Sequence, residues 1–255
     1  MAAVIIVALV AVFIMLAFAL NRFDPNSIDR NWTGEPLPPC FVNASQCYGH
    51  LLGTDNLGRD LLARSLYGSA NSLGLALVAL AFAVVAGLGV AMISRVPSRV
   101  GGFVVERFVA AIECFPPFAF IFIMIIVGRP DRLFTLPGIA IAGLAGLLFC
   151  PRIVRAVMSV PTARGALAVV ADQAAQALTA IILLVATVDF IGWGVEPPYP
   201  SWGNMLSDAQ ENLSIAWWAM VFPAIWLSGA LLVIEAVRRL LVGGSRSTDD
   251  HGSLV

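Results

Sequence analysis

The chain has 255 residues, 59% of them hydrophobic and only 12% charged, with a net charge of −1 and a mean hydropathy of +0.89. A soluble domain carries about 25% charged residues, so this composition describes a polytopic protein embedded in a lipid bilayer; with no basic patch and no basic–aromatic interleaving, it offers nucleic acid no binding surface. There is no lysine, all fifteen cations being arginine, which excludes a phosphate-binding P-loop, whose lysine must reach the β- and γ-phosphates, and excludes Schiff-base chemistry.

Residues 2–20 are uncharged and about as long as the ~20 residues a bilayer helix needs. A secretory signal peptide is the rival reading, but it would carry a basic n-region that is absent here. Asn21–Gly49 is rich in Pro, Asn and Asp and reads as a loop; it contains Cys40 and Cys47. His50–Gly68 reads HLLGTDNLGRDLLARSLYG. Thr54 or Asp55 can cap a helix start, and Leu57, Leu61, Leu62 and Leu66 recur at helical spacing. The pattern predicts a short helix with one apolar face, suited to the membrane interface. Ser69–Ser94 is the second expected span, with Gly74, Gly87 and Gly89 permitting close helix approach. Arg95–Arg107 is a short basic loop. Phe103–Val127 is the third span, interrupted by Phe115-Pro116-Pro117, and Glu113 stands just before the break. An intramembrane carboxylate is a functional candidate; one near a helix end can equally face water or an arginine. Arg129–Arg132 reads as a polar turn, Phe134–Cys150 as the fourth span and Pro151–Arg164 as a second basic loop. Ala166–Val188 is the fifth span, with Asp172 and Gln173 in its first turns. Asp189–Ser214 reads as a loop and Ile215–Leu241 as the sixth span, with Pro223 as an expected kink and Glu235 near its end. The polar tail at 242–255 is expected to be disordered.

Arginine placement supports an orientation. With the N-terminus inside, the cytoplasmic loops hold Arg95, Arg99, Arg107, Arg152, Arg155, Arg164, Arg238, Arg239 and Arg246. The excess favours an all-α fold of six transmembrane helices with both ends inside. Residues 1–241 then form one transmembrane domain, with external loops at 21–68 (including the interface helix) and 189–214, and 242–255 form a cytoplasmic tail. An external Cys40 and Cys47 are expected to pair as a disulfide, two free thiols being the alternative; Cys114 and Cys150, in or beside spans, read as packing residues. No Cys/His arrangement has zinc spacing. His50 and His251 are the only histidines and no nucleophile elbow is present, so neither catalytic nor metal-ligating residues are assigned.

Two motifs remain. The first is H-x-x-G-T-D-x-x-G-R-D-x-x-x-R-x-x-Y-G at His50–Gly68; the second is FIGWGVEPPYPSWGNML at Phe190–Leu206. Both resemble segments of the permeases of the dipeptide/oligopeptide/nickel ABC importer family, specifically the C type of the two permease subunits, and the looser likeness runs from Pro25 to Arg239. The family retains its first helix, which favours a span at 2–20; a cytoplasmic tail usually precedes that helix, so the start at Met1 is expected to be a late one. The resemblance implies the ABC importer permease fold in a bacterial inner (plasma) membrane. It also implies a sister permease completing the path, one or two cytoplasmic ATPase subunits carrying the ATP and Mg, and an extracytoplasmic solute-binding protein. The chain itself would hold no cofactor and would not be an enzyme. Gly53, Thr54, Asp55, Gly58, Arg59 and Asp60 of the first motif, with Pro197, Pro198, Ser201, Trp202 and Gly203 of the second, would form the external mouth and its docking surface. Asp55, Arg59 and Asp60 are expected to tie that mouth by charge-assisted hydrogen bonds; holding the interface helix in place and contacting solute directly are the alternatives. Arg152, Arg155 and Arg164 would face the ATPase.

The likeness has a gap. Family permeases carry a cytoplasmic E-A-A-x-x-x-G loop between spans four and five whose helices enter a cleft on the ATPase. Here Arg152–Val160, RIVRAVMSV, runs almost directly into the fifth span. Val185 stands where the family usually has Glu, with Asp189 one turn later. An importer subunit for short peptides or similar small solutes is the first reading; a degenerate scaffold that no longer couples to ATP is the second.

Overall fold

The computed structural model describes residues 24–94, 99–114, 116, 119, 143–160 and 163–250. The span expected at 2–20, the turn at Arg129–Arg132, most of the second half of the third span and residues 134–142 of the fourth lie outside them. Among the described residues the chain is helical and forms no strand, only two isolated bridges, Ile28 with Arg59 and Thr54 with Asp60.

The helices are α1 (Leu61–Ser94), α2 (Arg99–Glu113), α3 (Cys150–Met158), α4 (Ala163–Phe190), α5 (Trp202–Ala209) and α6 (Trp217–Asp250), with a 3-10 turn at Gln210–Asn212 after α5. Among the described residues, three helical segments are long and apolar enough to cross a membrane: Leu61–Ser94, Ala166–Phe190 and Trp217–Leu240. α1 starts where Asp60 Oδ1 accepts the Ala63 N–H at 2.7 Å. It then runs through Ser69 unbroken, because Ser65 and Ser69 return their hydroxyls to the carbonyls four residues back, at 2.7 and 2.8 Å. The short interface helix expected from Thr54 therefore does not form. Residues 51–60 are turns, and Leu61, Leu62 and Leu66 belong to the first turns of a 34-residue helix.

Three expected loops also contain helices. α2 begins inside the expected basic loop at 95–107, since Val105 and Val109, four residues apart, bury a common face beside Val154 and Val157. Cys150–Met158 is helical because Pro151 suits a first helical turn and Ile153, Val154, Ala156 and Val157 are buried on one side. In the expected loop at 189–214, Ser201 caps α5. The tail differs too: α6 continues to Asp250, with no proline after Pro223 to stop it, and extending a formed helix costs little.

The core lies where α1, α3, α4 and α5 meet, around Leu73, Ala76, Ile153, Leu178, Ile182 and Trp202. At one end of α4 and α6 an ion network joins them: Arg238 bonds Asp172 at 2.7 Å and Glu235 at 2.7 Å. Glu113 at the end of α2 pairs with Arg155 of α3, so this carboxylate faces an arginine. Cys150 is buried as expected for a packing residue, whereas Cys114 is exposed. Cys40 and Cys47 are joined by a disulfide, their Cα atoms 4.8 Å apart.

Candidate functional site

The start of α1, the end of α4 and the start of α6 come together at one end of the bundle, and both sequence motifs lie there. Gly53 and Gly58 make the turns of the first motif at φ of +79° and +72°, a region glycine enters freely. Neither has room for a side chain: a Cβ at Gly53 would stand 2.7 Å from the Leu37 carbonyl oxygen, and one at Gly58 would overlap the Trp32 ring. Thr54, wholly buried, clamps the preceding loop from both sides. Its N–H donates to the Leu37 carbonyl at 3.0 Å, its Oγ1 accepts the Leu37 N–H at 2.8 Å, and its own carbonyl accepts Trp218 Nε1 of α6 at 3.3 Å.

Asp55 is the electrostatic centre. Its Oδ1 accepts the N–H groups of Leu57 at 3.0 Å and Arg59 at 2.9 Å. Its Oδ2 faces Arg59 Nε at 2.7 Å and Arg64 Nε at 3.2 Å. Arg59 and Arg64 are only 8% and 2% exposed, a burial that charged groups tolerate when paired. Arg64 Nη1 reaches further, to the Asn26 side chain at 3.3 Å and to the Pro198 carbonyl at 3.4 Å. Arg59 Nη2 lies 3.9 Å from Asp208 Oδ2 on α5. Burial raises the pKa of Asp208, and Arg64 and Arg59 only partly offset it. Asp60 does not join this cluster. Besides capping α1, it accepts from His50 Nδ1 at 2.6 Å, while His50 Nε2 meets Asp29 Oδ2 at 2.8 Å.

The second motif packs onto the first. Ser201 and Asn204 cap α5 reciprocally, at 3.2 and 2.8 Å, and Asn204 Nδ2 also holds the Tyr199 carbonyl at 2.8 Å. Trp202, fully buried, donates its ring N–H to the Ser65 carbonyl at 3.3 Å and its backbone N–H to Ser72 Oγ at 3.2 Å. Asn71 of α1 donates to the Pro200 carbonyl at 2.7 Å, and Asn56 to the Asp208 carbonyl at 2.7 Å. Gly203 lies directly against the Ala186 carbonyl. Asp189, at the end of α4 and 1% exposed, takes the Val195 N–H on Oδ1 at 2.9 Å; its Oδ2 is buried without a hydrogen-bond partner among the described residues.

The structure thus gathers the eleven residues expected at the mouth at one end of the bundle but divides them by burial. Gly53, Thr54, Asp55, Arg59, Ser201, Trp202 and Gly203 are buried, while Pro197 and Pro198 face outward. The buried groups are ties between loops and helices. Arg152 and Arg155 are exposed on α3 at the opposite end, Arg152 above the Phe149 ring at 5.6 Å; the Arg164 side chain lies outside the described residues. Sequence reasoning missed Arg64, His50 and Asp208 as parts of the site. Arg64 and His50 had a signal, since both are named letters of the first motif. Asp208 had none, because only the fold brings it to Arg59.

Comparison with known proteins follows the same lines. No family model matches the chain. It is similar to the di/tripeptide transport system permease protein DppC of Pseudomonas aeruginosa, 26% identical over 236 residues that cover 84% of this chain and 76% of that protein. It is also similar to the peptide transport system permease protein SapC of Escherichia coli O6:H1, 27% identical with coverage of 87% and 83%. The oligopeptide transport system permease protein OppC of E. coli K12 is 29% identical, with coverage of 89% and 79%. In three dimensions the chain resembles a chain of the MetNI methionine ABC transporter in inward-facing form, with a TM-score of 0.53, 16% identity, and coverage of 71% of this chain and 97% of that one; this likeness is one of fold. The resemblance read from the two motifs is borne out along most of the chain.

Proposed function

We propose that the chain is a transmembrane permease subunit of a binding-protein-dependent ABC importer for short peptides or similar small solutes, and that it forms the translocation path with a second permease. The observation that carries the reading is the meeting of its two motifs. They are more than 120 residues apart in sequence, yet they close into one hydrogen-bonded layer over the ends of three helices long and apolar enough to span a bilayer. Its relatives are named as permeases of peptide transport systems, which supports the solute class.

In this reading residues 1–241 form six spans with both ends in the cytoplasm of a bacterial cell, in its inner membrane, and 242–255 form the tail. The motif layer is extracytoplasmic, where a solute-binding protein docks on the exposed Pro197–Tyr199 edge, and the Asp55–Arg59–Arg64 cluster keeps the mouth in shape. Alternating access would arise from rocking of the two permeases against each other. ATP and Mg are held on one or two separate ATPase subunits, which meet the α3 face carrying Arg152 and Arg155, with Arg164 beyond it. Arg59→Ala should cut uptake at normal expression; unchanged uptake would remove the cluster from the mechanism. The wider test is affinity purification from the native host in mild detergent. Recovery of a second permease and an ATPase whose turnover rises with the loaded binding protein is the expected result.

One observation favours a second reading, a scaffold that no longer couples. Only residues 159–162 separate α3 from α4, too few for the two coupling helices of the family. Recovery of the permease with no stoichiometric ATPase, or with an ATPase indifferent to the binding protein, would support it.

A further inference from the structure

The disulfide-closed loop before the first motif takes no part in the ion pairs of the site, and its surface is unusual for an aqueous loop. From Pro36 to Gly49 there is no charged residue. Phe41 is 65% exposed, and Val42 and Tyr48 are also exposed. The loop is two-sided: Asn43, Ser45 and Gln46 bond one another at its tip, while Phe41 and Val42 form an apolar edge beside Cys40. That edge is set against a span. The Phe41 ring lies 6.1 Å from the Phe222 ring of α6, edge to face.

The contact fixes the loop's depth. The apolar part of α6, Trp217–Leu240, has 24 residues, about 36 Å of helix against a hydrocarbon core of about 30 Å. Centred, it would place Phe222, five residues in, about 4–5 Å inside the hydrocarbon boundary. Phe41 packs on it from the side and therefore stands at that boundary. Trp217, exposed at the start of the same helix, is the residue type that collects there.

We propose that the Cys40–Cys47 loop is an interfacial anchor, with Phe41, Val42 and Tyr48 seated among the glycerol and upper acyl groups of the phospholipid leaflet at the motif end. The occupant we assign is lipid rather than a docked protein, because the apolar edge continues the exposed apolar side of α6, read as a span, where Ile225 is exposed. Without charge of its own, the edge recognises the apolar interface and not a headgroup. The inference rests on the reading of α6 as a span.

The test uses the full complex in proteoliposomes doped with a phospholipid carrying a diazirine high on its acyl chain. After irradiation, adducts are mapped by peptide mass spectrometry. Adducts on Phe41, Val42 or Tyr48, along with Ile225, are the expected result, unchanged as the anionic lipid fraction varies. Val42→Ser with Tyr48→Ser, both at exposed positions that spare the Phe222 contact, should lose most of the loop's label and keep that of Ile225. Label on Ile225 with none on the loop would overturn the anchor while leaving the span intact. No label on either would overturn both. Loop label that disappears when the solute-binding protein is added, while Ile225 keeps its own, would assign the edge to that protein and overturn the lipid assignment.

Discussion

Asp55 holds two buried guanidinium groups, and the consequences of changing it follow from that count. Removing one partner of a buried ion pair costs about 3–5 kcal/mol, because the charge left behind has lost both water and counter-ion. Asp55→Ala would leave Arg59 and Arg64 facing each other, so we expect a loss of that order, read as a lower Tm of the detergent-solubilised complex. A loss under about 1 kcal/mol, the range of exposed pairs, would show that water reaches the cluster. His50 gives a dependence on pH. Burial opposes its charge, but the hydrogen bonds to Asp60 and Asp29 outweigh burial and raise its pKa above 6.5. Asp29 is lowered, chiefly by the Asn31 backbone N–H and also by His50. A raised folded-state pKa means that the charged latch stabilises fully below pH 6.5 and fades as pH rises through the higher value. Tm should therefore fall from pH 6.5 into the alkaline range, and His50→Gln should flatten that slope; an equal slope in both proteins would place the titrating group elsewhere.

Glycines on α1 show what a helix pattern can and cannot reveal. Gly87 and Gly89 look alike in sequence, small residues two apart in an apolar run. Folded, a Cβ at Gly87 would stand 2.5 Å from Ile153 Cβ, whereas one at Gly89 would meet nothing within 4 Å. Gly87→Leu should accordingly loosen α1 from α3 and lower Tm, with Gly89→Leu near neutral; equal effects would mean that the two helices do not pack closely there. Trp202→Ala, which empties the centre of the core and removes the indole N–H bond to the Ser65 carbonyl, should cost about 3–5 kcal/mol. The long apolar elements were legible because bilayer-length runs without charge have few other structural outcomes, as at Ala166–Phe190 and Trp217–Leu240. The short helices were not. α3 was hidden by its arginines: Arg152 and Arg155 point outward while Ile153 and Val154 are buried between them, and nine residues give too little periodicity to separate a half-buried helix from a basic loop. The interface helix failed for the opposite reason. Its leucines had the right spacing, but Thr54 and Asp55 spend their oxygens on Leu37, Leu57 and Arg59, so the helix begins only at the next available cap, Asp60. The motifs singled out residues that the fold brings to one end; that most of them are buried ties could not be read, because Leu37, Asp208 and Trp218 reach them only through the fold.

At the scale of the whole molecule the two ends are unequal. The motif end is closed by ties among four helix termini and two loops, whereas at the opposite end α3 meets α4 across only four residues, 159–162. On that face Arg155 is engaged with Glu113, which leaves Arg152 as the exposed cation of α3 free of an ion pair among the described residues. An ATPase docking here would meet a short helix rather than an inserted one, so this half would transmit less of the closing motion than its partner permease. The expected consequence is an asymmetric response. Arg152→Glu, a change of rim charge, should weaken ATPase association only several-fold and in a salt-dependent way, with stimulation by the loaded binding protein largely kept. Deleting the coupling loop of the second permease should abolish that stimulation. Both are read on purified complexes, by ATPase titration against the permease pair at two ionic strengths and by turnover with and without loaded binding protein. If Arg152→Glu alone abolished stimulation, α3 would be a full coupling element despite its length. If neither change mattered, ATP hydrolysis would be disconnected from this membrane pair, and the scaffold reading would replace the importer.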